Sequence, residues 1–383
     1  MGVTKNAVLV AIFILLVIVG FVLFKLPKEE EVTAPKPVVF KKVIKLSGLQ
    51  IAEESIKFLD ESSKPDYRIY KNIYNCYLNE SGKGCYWTGS EHHHSGWYGA
   101  ARLGVYLHNG KEEYLKGARH VFEGYILANV SGNYQECTEE KNREEWCTHS
   151  CLPAGAECVG SFMGMHDWYI YSNDSKYLTA FKKAGDFLVN QFKPPQKPLR
   201  WTYLDIGKLA HAYEHTGNVT YLDTAITKLS EYEELSKKEG TIYSLEETFY
   251  LYSCWIKWSE IQIFKMNKDP KYLNSVKAFF DKMSVGSNVE LINQLPAIQF
   301  CITTLMDLYH ETNDSKYKKE ALNITQFVVK NYWDSSLDPK YNGDNGFLFT
   351  KYDAGENSKV SLETAYMAIT LTSDFPNDIF EVN

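Results

Sequence analysis

Five stretches share one layout: His108–Ala118 (HNGKEEYLKGA), Ser172–Phe181 (SNDSKYLTAF), His215–Ala225 (HTGNVTYLDTA), Met266–Val276 (MNKDPKYLNSV) and Glu311–Ala321 (ETNDSKYKKEA). In each, an apolar helical run stops at a tight polar turn and a second helix opens with Tyr near its start. These tyrosines, Tyr114, Tyr177, Tyr221, Tyr272 and Tyr317, stand 63, 44, 51 and 45 residues apart, which is the spacing of one helical hairpin per repeat. The turn chemistry agrees: Asn or Gly serves as a left-handed stop for the first helix, and Ser, Thr or Asp caps the second, most plainly at Asp269-Pro270. An opening helix at about Leu49 to Leu59 and a closing one at about Ser361 to Leu371 bring the expected count to twelve, or six pairs if the ends meet. Amphipathic hairpins bury their faces either by stacking into an open superhelix or by closing into a ring, and an unpaired helix at each end favours closure. The expected fold class is therefore all-α, with a ring of helical hairpins over residues 43–383.

Outside the hairpins, Ala7–Phe24 is an uninterrupted apolar run of 18 residues without a charge, close to the length that spans a bilayer as a helix. It ends in Lys25, Leu26 and Pro27 with no small-x-small cleavage site, so it reads as an uncleaved anchor and not as a signal peptide. Residues 1–6 form a short cytoplasmic end, and residues 25–42, with KEEEVTAPKP at Lys28–Pro37, a solvated stalk. Flanking charge leaves the orientation a near tie, Lys5 and the amino terminus against Lys25 and Lys28. Two features break it: eight cysteines, and Asn-x-Ser/Thr triplets at Asn79, Asn129, Asn173, Asn218, Asn313 and Asn323. Both suit an oxidising, glycosylating exterior. At Asn173, Asn218 and Asn313 the competing reading is stop-then-cap chemistry without sugar. The start MGVTKN lacks the Ser/Thr of a lipidation signal. The expected location is the cell membrane, single-pass, with the bulk of the chain outside the cytoplasm. With 44% hydrophobic residues the chain can build a large core. Its net charge of −7 and scattered basic residues exclude nucleic acid as a partner.

The hairpin count, the spacing and turns such as HTGNVTYLDTA and NGFLFTKYD resemble the six-hairpin toroid superfamily, the (α/α)6 barrels found among glycoside hydrolases, polysaccharide lyases and sugar epimerases, over roughly Val43 to Phe375. The resemblance implies fold more than activity. It points to an extracytoplasmic carbohydrate-active enzyme acting on an acidic or surface polysaccharide by hydrolysis, elimination or epimerisation. The alternative is a non-catalytic scaffold that binds glycan or protein.

Long connections, about 33 residues before Gly96, 30 before Gly160 and 27 before Ser361, crowd the end of the ring where the first helix of each pair begins. The working face is expected there. Catalytic candidates are Asp167, Asp205, Glu246, Glu363 and His93. Thr202-x-x-Asp205 resembles a capping box, and Ser244-x-x-Glu247 is one. A carboxylate at a helix start suits a base, so a proton donor would have to be a desolvated group such as Asp167; its ordinary role would be a hydrogen bond to a Tyr or His. His93 belongs to Glu91-His92-His93-His94-Ser95-Gly96-Trp97, whose plainer reading is a solvated loop.

Arginine is scarce, five against 36 lysines, which draws attention to Arg102 and Arg200 as partners of a sugar carboxylate, against the commoner use of pairing a core acid. Trp97, Trp201, Tyr203 and Tyr352 offer flat surfaces for sugar rings, or else core. In GWYGAARLGVYL, Gly99 and Gly104 allow close helix packing with aromatics filling the gaps. Cys76, Cys85, Cys137, Cys147, Cys151 and Cys158 read as loop disulfides, favoured over a zinc site of Cys147, His149, Cys151 and Cys158. Cys254 and Cys301 fit either a bridge or two buried thiols. No metal and no cofactor are expected.

Overall fold

The computed structural model describes residues 43–61, 73–79, 82–88, 95–126, 166–191, 202–239, 246–282, 295–337, 339, 343–348 and 358–382, and within them the five turns repeat one backbone solution. The stop residue takes a left-handed conformation: Gly110 (φ 68), Asn173 (φ 52), Gly217 (φ 63), Lys268 (φ 55) and Asn313 (φ 54). Each donates its N–H to the carbonyl four residues back, from 2.7 Å at Asn313 to 2.9 Å at Gly217. The next residue opens the second helix, and its carbonyl accepts from the repeat Tyr three residues on, as in Tyr221 to Asn218 at 3.0 Å. At Asp174, Asn218, Asp269 and Asp314 the side chain of that residue also accepts from a backbone N–H two residues on, at 3.0, 3.2, 3.0 and 3.1 Å. The cap is thus Asp or Asn immediately after the stop; Ser175 and Ser315 lie one residue inside the helix. Lys268, a poor left-handed residue, stands where the other turns have Gly or Asn.

Among the described residues these turns join twelve helices: α1 (Gly48–Glu61), α2 (Ser95–Asn109), α3 (Glu112–Arg119, running on as a π-helical turn at His120–Ile126), α4 (166–172), α5 (Ser175–Gln191), α6 (Thr202–Thr216), α7 (Val219–Glu239), α8 (Glu246–Asn267), α9 (Pro270–Lys282), α10 (Leu295–Thr312), α11 (Ser315–Tyr332) and α12 (Ser361–Ser373). Five hairpins run in sequence, and the last helix closes on the first, α12 packing against both α1 and α2. The first helices of the pairs form the inner ring: α6 packs on α8, α8 on α10, and α12 on α2. Around α4, Tyr106 meets Tyr171 edge-on at 6.0 Å on one side and His166 meets His211 at 5.0 Å on the other. Gly104 permits the α2–α12 approach, since a Cβ there would lie 2.6 Å from Thr372 Oγ1.

The helical ring is the all-α architecture expected, and among the described residues five short strands accompany it. β1 (Ile44–Ser47) and β5 (Ile379–Val382) pair antiparallel beside the closing helices, Ile44 opposite Val382, and so tie the two ends of the ring. β2 (Ile73–Asn79) and β3 (Gly82–Thr88) form a hairpin on which β4 (Ser358–Val360) adds a third strand. β4 runs directly into α12, so this sheet stands at the long-connection end. A long connection cannot leave its backbone groups unpaired against a packed surface, and strand pairing satisfies them. In that hairpin Cys76 is the register partner of Cys85.

Cys254 of α8 and Cys301 of α10 are bridged, their Cα atoms 4.9 Å apart, which joins two inner helices. The repeat tyrosines Tyr177, Tyr221, Tyr272 and Tyr317 are buried, each worth about 1.5–3 kcal/mol as a large buried side chain. Among the described residues no helix is long and apolar enough to cross a membrane. The run Ala7–Phe24 and the stalk at 25–42 lie outside them, as do His93, Arg200, Trp201, Tyr352, Asn129, Cys137, Cys147, Cys151 and Cys158.

Candidate functional site

The inner helices enclose a cavity of about 270 Å³. Trp97 and Ala100 of α2, Asp167 of α4, Thr303, Asp307 and His310 of α10, and Tyr366, Thr370 and Asp374 of or just after α12 contribute to its wall. It runs from the level of Trp97, early in α2, to Asp374, past the end of α12. The described cavity therefore reaches the turn end of the ring, deeper than a site confined to the starts of the inner helices.

An aromatic stack forms one side: Trp97 meets Tyr366 edge-on at 4.6 Å, and Tyr366 stacks on Phe300 at 5.3 Å. The Tyr366 hydroxyl bonds to Thr303 Oγ1, and burial raises its pKa well above the phenol value. Behind Trp97 lies Lys208, fully buried, its ammonium 5.8 Å from the indole ring. Burial pushes Lys208 well below the usual lysine range, and the charges of Asp205 and Asp167 pull it back upward. Asp205 and Asp167 thus converge on one buried amine, which sequence reading passed over. The signal was available: Lys208 lies three residues after Asp205, on the same helix face.

Three carboxylates reach the cavity in unlike surroundings. Asp167 has a side chain 48% exposed and lies 3.5 Å from His166 Nδ1. The expectation that Asp167 is the desolvated acid is therefore corrected. Asp307 is held by Gln262 Nε2 at 2.7 Å and Lys265 Nζ at 3.0 Å. Asp374 is pushed up to about 7 by burial and by the charge of Asp307 beside it.

Glu363 stands one turn before Tyr366 on α12. It is buried, one of its carboxylate oxygens, Oε2, lacks a hydrogen-bond partner, and burial pushes it up to about 7. At the helix start its own backbone N–H pulls it downward, but by less than burial raises it.

Two proposed ligand-binding groups are spent elsewhere. Arg102 is buried and forks onto Asp60 and the Tyr98 hydroxyl, the latter at 2.7 Å from Nε, with Nη1 donating to the Glu113 carbonyl at 3.3 Å. It is a structural pair, as the commoner use of a core arginine would have it. Tyr203 is fully buried, its ring 6.0 Å from Tyr232 of α7, and belongs to the core. Trp97 does line the cavity. Glu246 opens α8, and Asn79 ends β2. Asn173 and Asn313 are the left-handed stops and Asn218 a helix cap, so turn chemistry accounts for all three, while Asn323 is exposed on α11.

Beside the lumen, His166 of α4 meets His211 and His215 of α6, a grouping invisible in the sequence because 45 residues separate His166 from His211. Burial pushes His211 down to about 4, with His166 and His215 adding to the effect.

No protein-family model and no curated relative matches the chain. Among solved structures, an unsaturated glucuronyl hydrolase specific for heparin is similar over 85% of this chain and 95% of its own, at 12% identity and a TM-score of 0.57. An unsaturated glucuronyl hydrolase variant from Streptococcus agalactiae is similar over 85% and 89%, at 14% identity and 0.55. The GH76 α-mannanase of Bacteroides thetaiotaomicron is similar over 85% and 96%, at 14% identity and 0.57. At these identities the likeness is one of architecture: the chain has the fold of the (α/α)6 toroids.

Proposed function

We propose that the protein is a glycoside hydrolase that works outside the cytoplasm from a membrane anchor and removes a terminal, acidic sugar from a glycan. The observation that carries this reading is the cavity itself, where an aromatic wall meets one carboxyl group that is buried, Asp374, and one that is open to water, Asp167. Asp374, its proton held to about pH 7, is the donor to the leaving oxygen. Asp167, open to water, is the carboxylate that activates or replaces the attacking water. Trp97 and Tyr366 supply the stacking faces.

At about 270 Å³ the cavity is smaller than the ~300–1,000 Å³ of drug-sized ligand sites, which favours one chain-end sugar over an internal stretch. The unsaturated glucuronyl hydrolases among the structural neighbours support an acidic sugar. The anchor rests on Ala7–Phe24, and the bridge between Cys254 and Cys301 supports an oxidising compartment.

The test is mass spectrometry of neutral and uronate-bearing oligosaccharides incubated with the detergent-solubilised full chain in heavy water. Hydrolysis predicts products shortened by one sugar that carry added solvent. Unsaturated fragments, or deuterium gain without cleavage, would replace the reading by elimination or epimerisation. An unchanged panel would favour the glycan- or protein-binding scaffold.

A further inference from the structure

We propose that His166, His211 and His215, with Glu214 as the fourth donor, form a site for a first-row divalent cation, Zn²⁺ by its donor chemistry, that clips the second and third hairpins of the ring together. One ligand atom of each histidine lies within 4.8 Å of those of the other two. Glu214 Oε2 is 3.3 Å from His211 Nδ1 and 3.3 Å from His215 Nε2. Four donors at about 2.0–2.1 Å around a tetrahedral zinc stand about 3.3 Å from one another, so the Glu214 contacts already have the required edge length.

The nitrogens themselves point the same way. His166 Nε2 is buried and makes no hydrogen bond, an expensive arrangement for an imidazole unless something binds it, and His215 Nε2, equally buried, has Glu214 Oε2 beside it at 3.3 Å. His166 is 92% buried by its 8% exposure. Its other nitrogen, Nδ1, faces the Asp167 carboxylate at 3.5 Å, the partner that orients a metal-ligating imidazole while leaving Nε2 for the metal. The rings of His166 and His215 lie 3.4 Å apart between centroids, and Phe181 of α5 covers them from the outer ring at 5.7 and 6.3 Å.

His211 and His215 are four residues apart on one face of α6, the H-x3-H spacing of helical zinc ligands. Nitrogen and carboxylate donors without sulfur suit Zn²⁺ over Ca²⁺ or Mg²⁺. With all four positions taken by protein, the site is of the closed, structural kind. Two hairpins that touch through α4 and α6 would then be held by a bond stronger than packing. The site shares Asp167 with the glycan reading, but its test reads metal content and spectra and not activity.

The experiment uses the full chain stripped with chelator, dialysed and titrated with ZnCl₂ and, separately, CoCl₂. Expected are one tightly held metal per chain, a higher unfolding temperature on zinc binding, and the intense visible absorption of tetrahedral Co²⁺. X-ray absorption of the zinc-loaded wild type should show a nitrogen and oxygen shell with imidazole scattering. The double variant His211→Gln, His215→Gln should lose all of these. Should the variant not fold, the wild-type absorption and scattering decide alone. Metal content near zero, a sulfur shell, or unchanged binding in a folded double variant would each overturn the site.

Discussion

The Tyr221 hydroxyl donates to Asp186 Oδ1 at 2.7 Å, reaching from the start of one outer helix to the preceding one, where it also bonds the Lys182 carbonyl at 2.9 Å. Tyr317 repeats the move onto Asp281 at 3.1 Å. At Tyr221 and Tyr317 the tyrosine that marks the hairpin in the sequence thus links it to the preceding one, whereas the Tyr177 hydroxyl is buried without a hydrogen bond. The Tyr221 ring lies so close to Gly185 that a Cβ there would stand 2.8 Å from Tyr221 Cζ. Gly to Ala inside a helix ordinarily stabilises by up to about 1 kcal/mol. Gly185→Ala should do the reverse, costing about 1–3 kcal/mol through overpacking. Tyr221→Phe, which keeps the ring and removes the bond, should cost about 1 kcal/mol. Urea unfolding of both variants checks the pair, and a stabilised Gly185→Ala would refute the close contact.

The buried carboxyl of Glu363 makes a prediction about pH. Its folded pKa, about 7, lies above the ordinary glutamate value of 4.5, so between those values the folded state holds a proton that the unfolded state has released. The contribution of Glu363 to stability is complete below about 4.5 and is lost as pH rises through 7. Glu363→Gln removes the ionisation. It should unfold at a higher temperature than wild type at pH 8, with the difference shrinking toward pH 4. A difference independent of pH would show that Glu363 does not titrate in this way.

Much of the ring was legible because its grammar is local. Stop, cap and tyrosine lie within a few residues of one another at Asn173–Tyr177 or Asn313–Tyr317, and each fixes backbone geometry by itself. Closure was legible from helices left over at the ends. The small sheet was not, because β4 joins β2 from far along the chain, Ile73 pairing with Val360, 287 residues on. The site divides along the same line. Asp167, Trp97 and Glu363 could be nominated from helix position, whereas Asp307 and Asp374 matter only because burial and a neighbouring charge act across the lumen. Arg102 was misplaced for the same reason: its partner, Asp60, lies 42 residues away.

Arg102 separates a structural arginine from a ligand-binding one. Arg102→Lys keeps the charge and loses the planar fork that serves Asp60 and Tyr98 together. It should cost about 1.5–3 kcal/mol of stability, the worth of hydrogen bonds to charged groups. With any glycan that proves active, KM should stay within about twofold of wild type, since a group that does not touch the ligand leaves its binding alone. A large rise in KM without loss of stability would return Arg102 to the site.

In the cavity, Asp374 and Asp167 carry opposite assignments and should fail differently. Loss of the Asp374 proton near pH 7 sets the descending limb of the rate against pH. Asp374→Asn should flatten that limb and lower kcat about 10²–10⁴-fold, the usual worth of one acid or base. A substrate whose leaving group needs no proton, such as a nitrophenyl glycoside, should recover most of that loss. Asp167→Asn should lower kcat on both substrates, because the attacking water is common to them. Equal losses for both variants on both substrates would contradict the division of roles, and recovery by Glu363→Gln in place of Asp374→Asn would move the donor to Glu363, one turn before Tyr366, the other carboxyl that burial holds near 7.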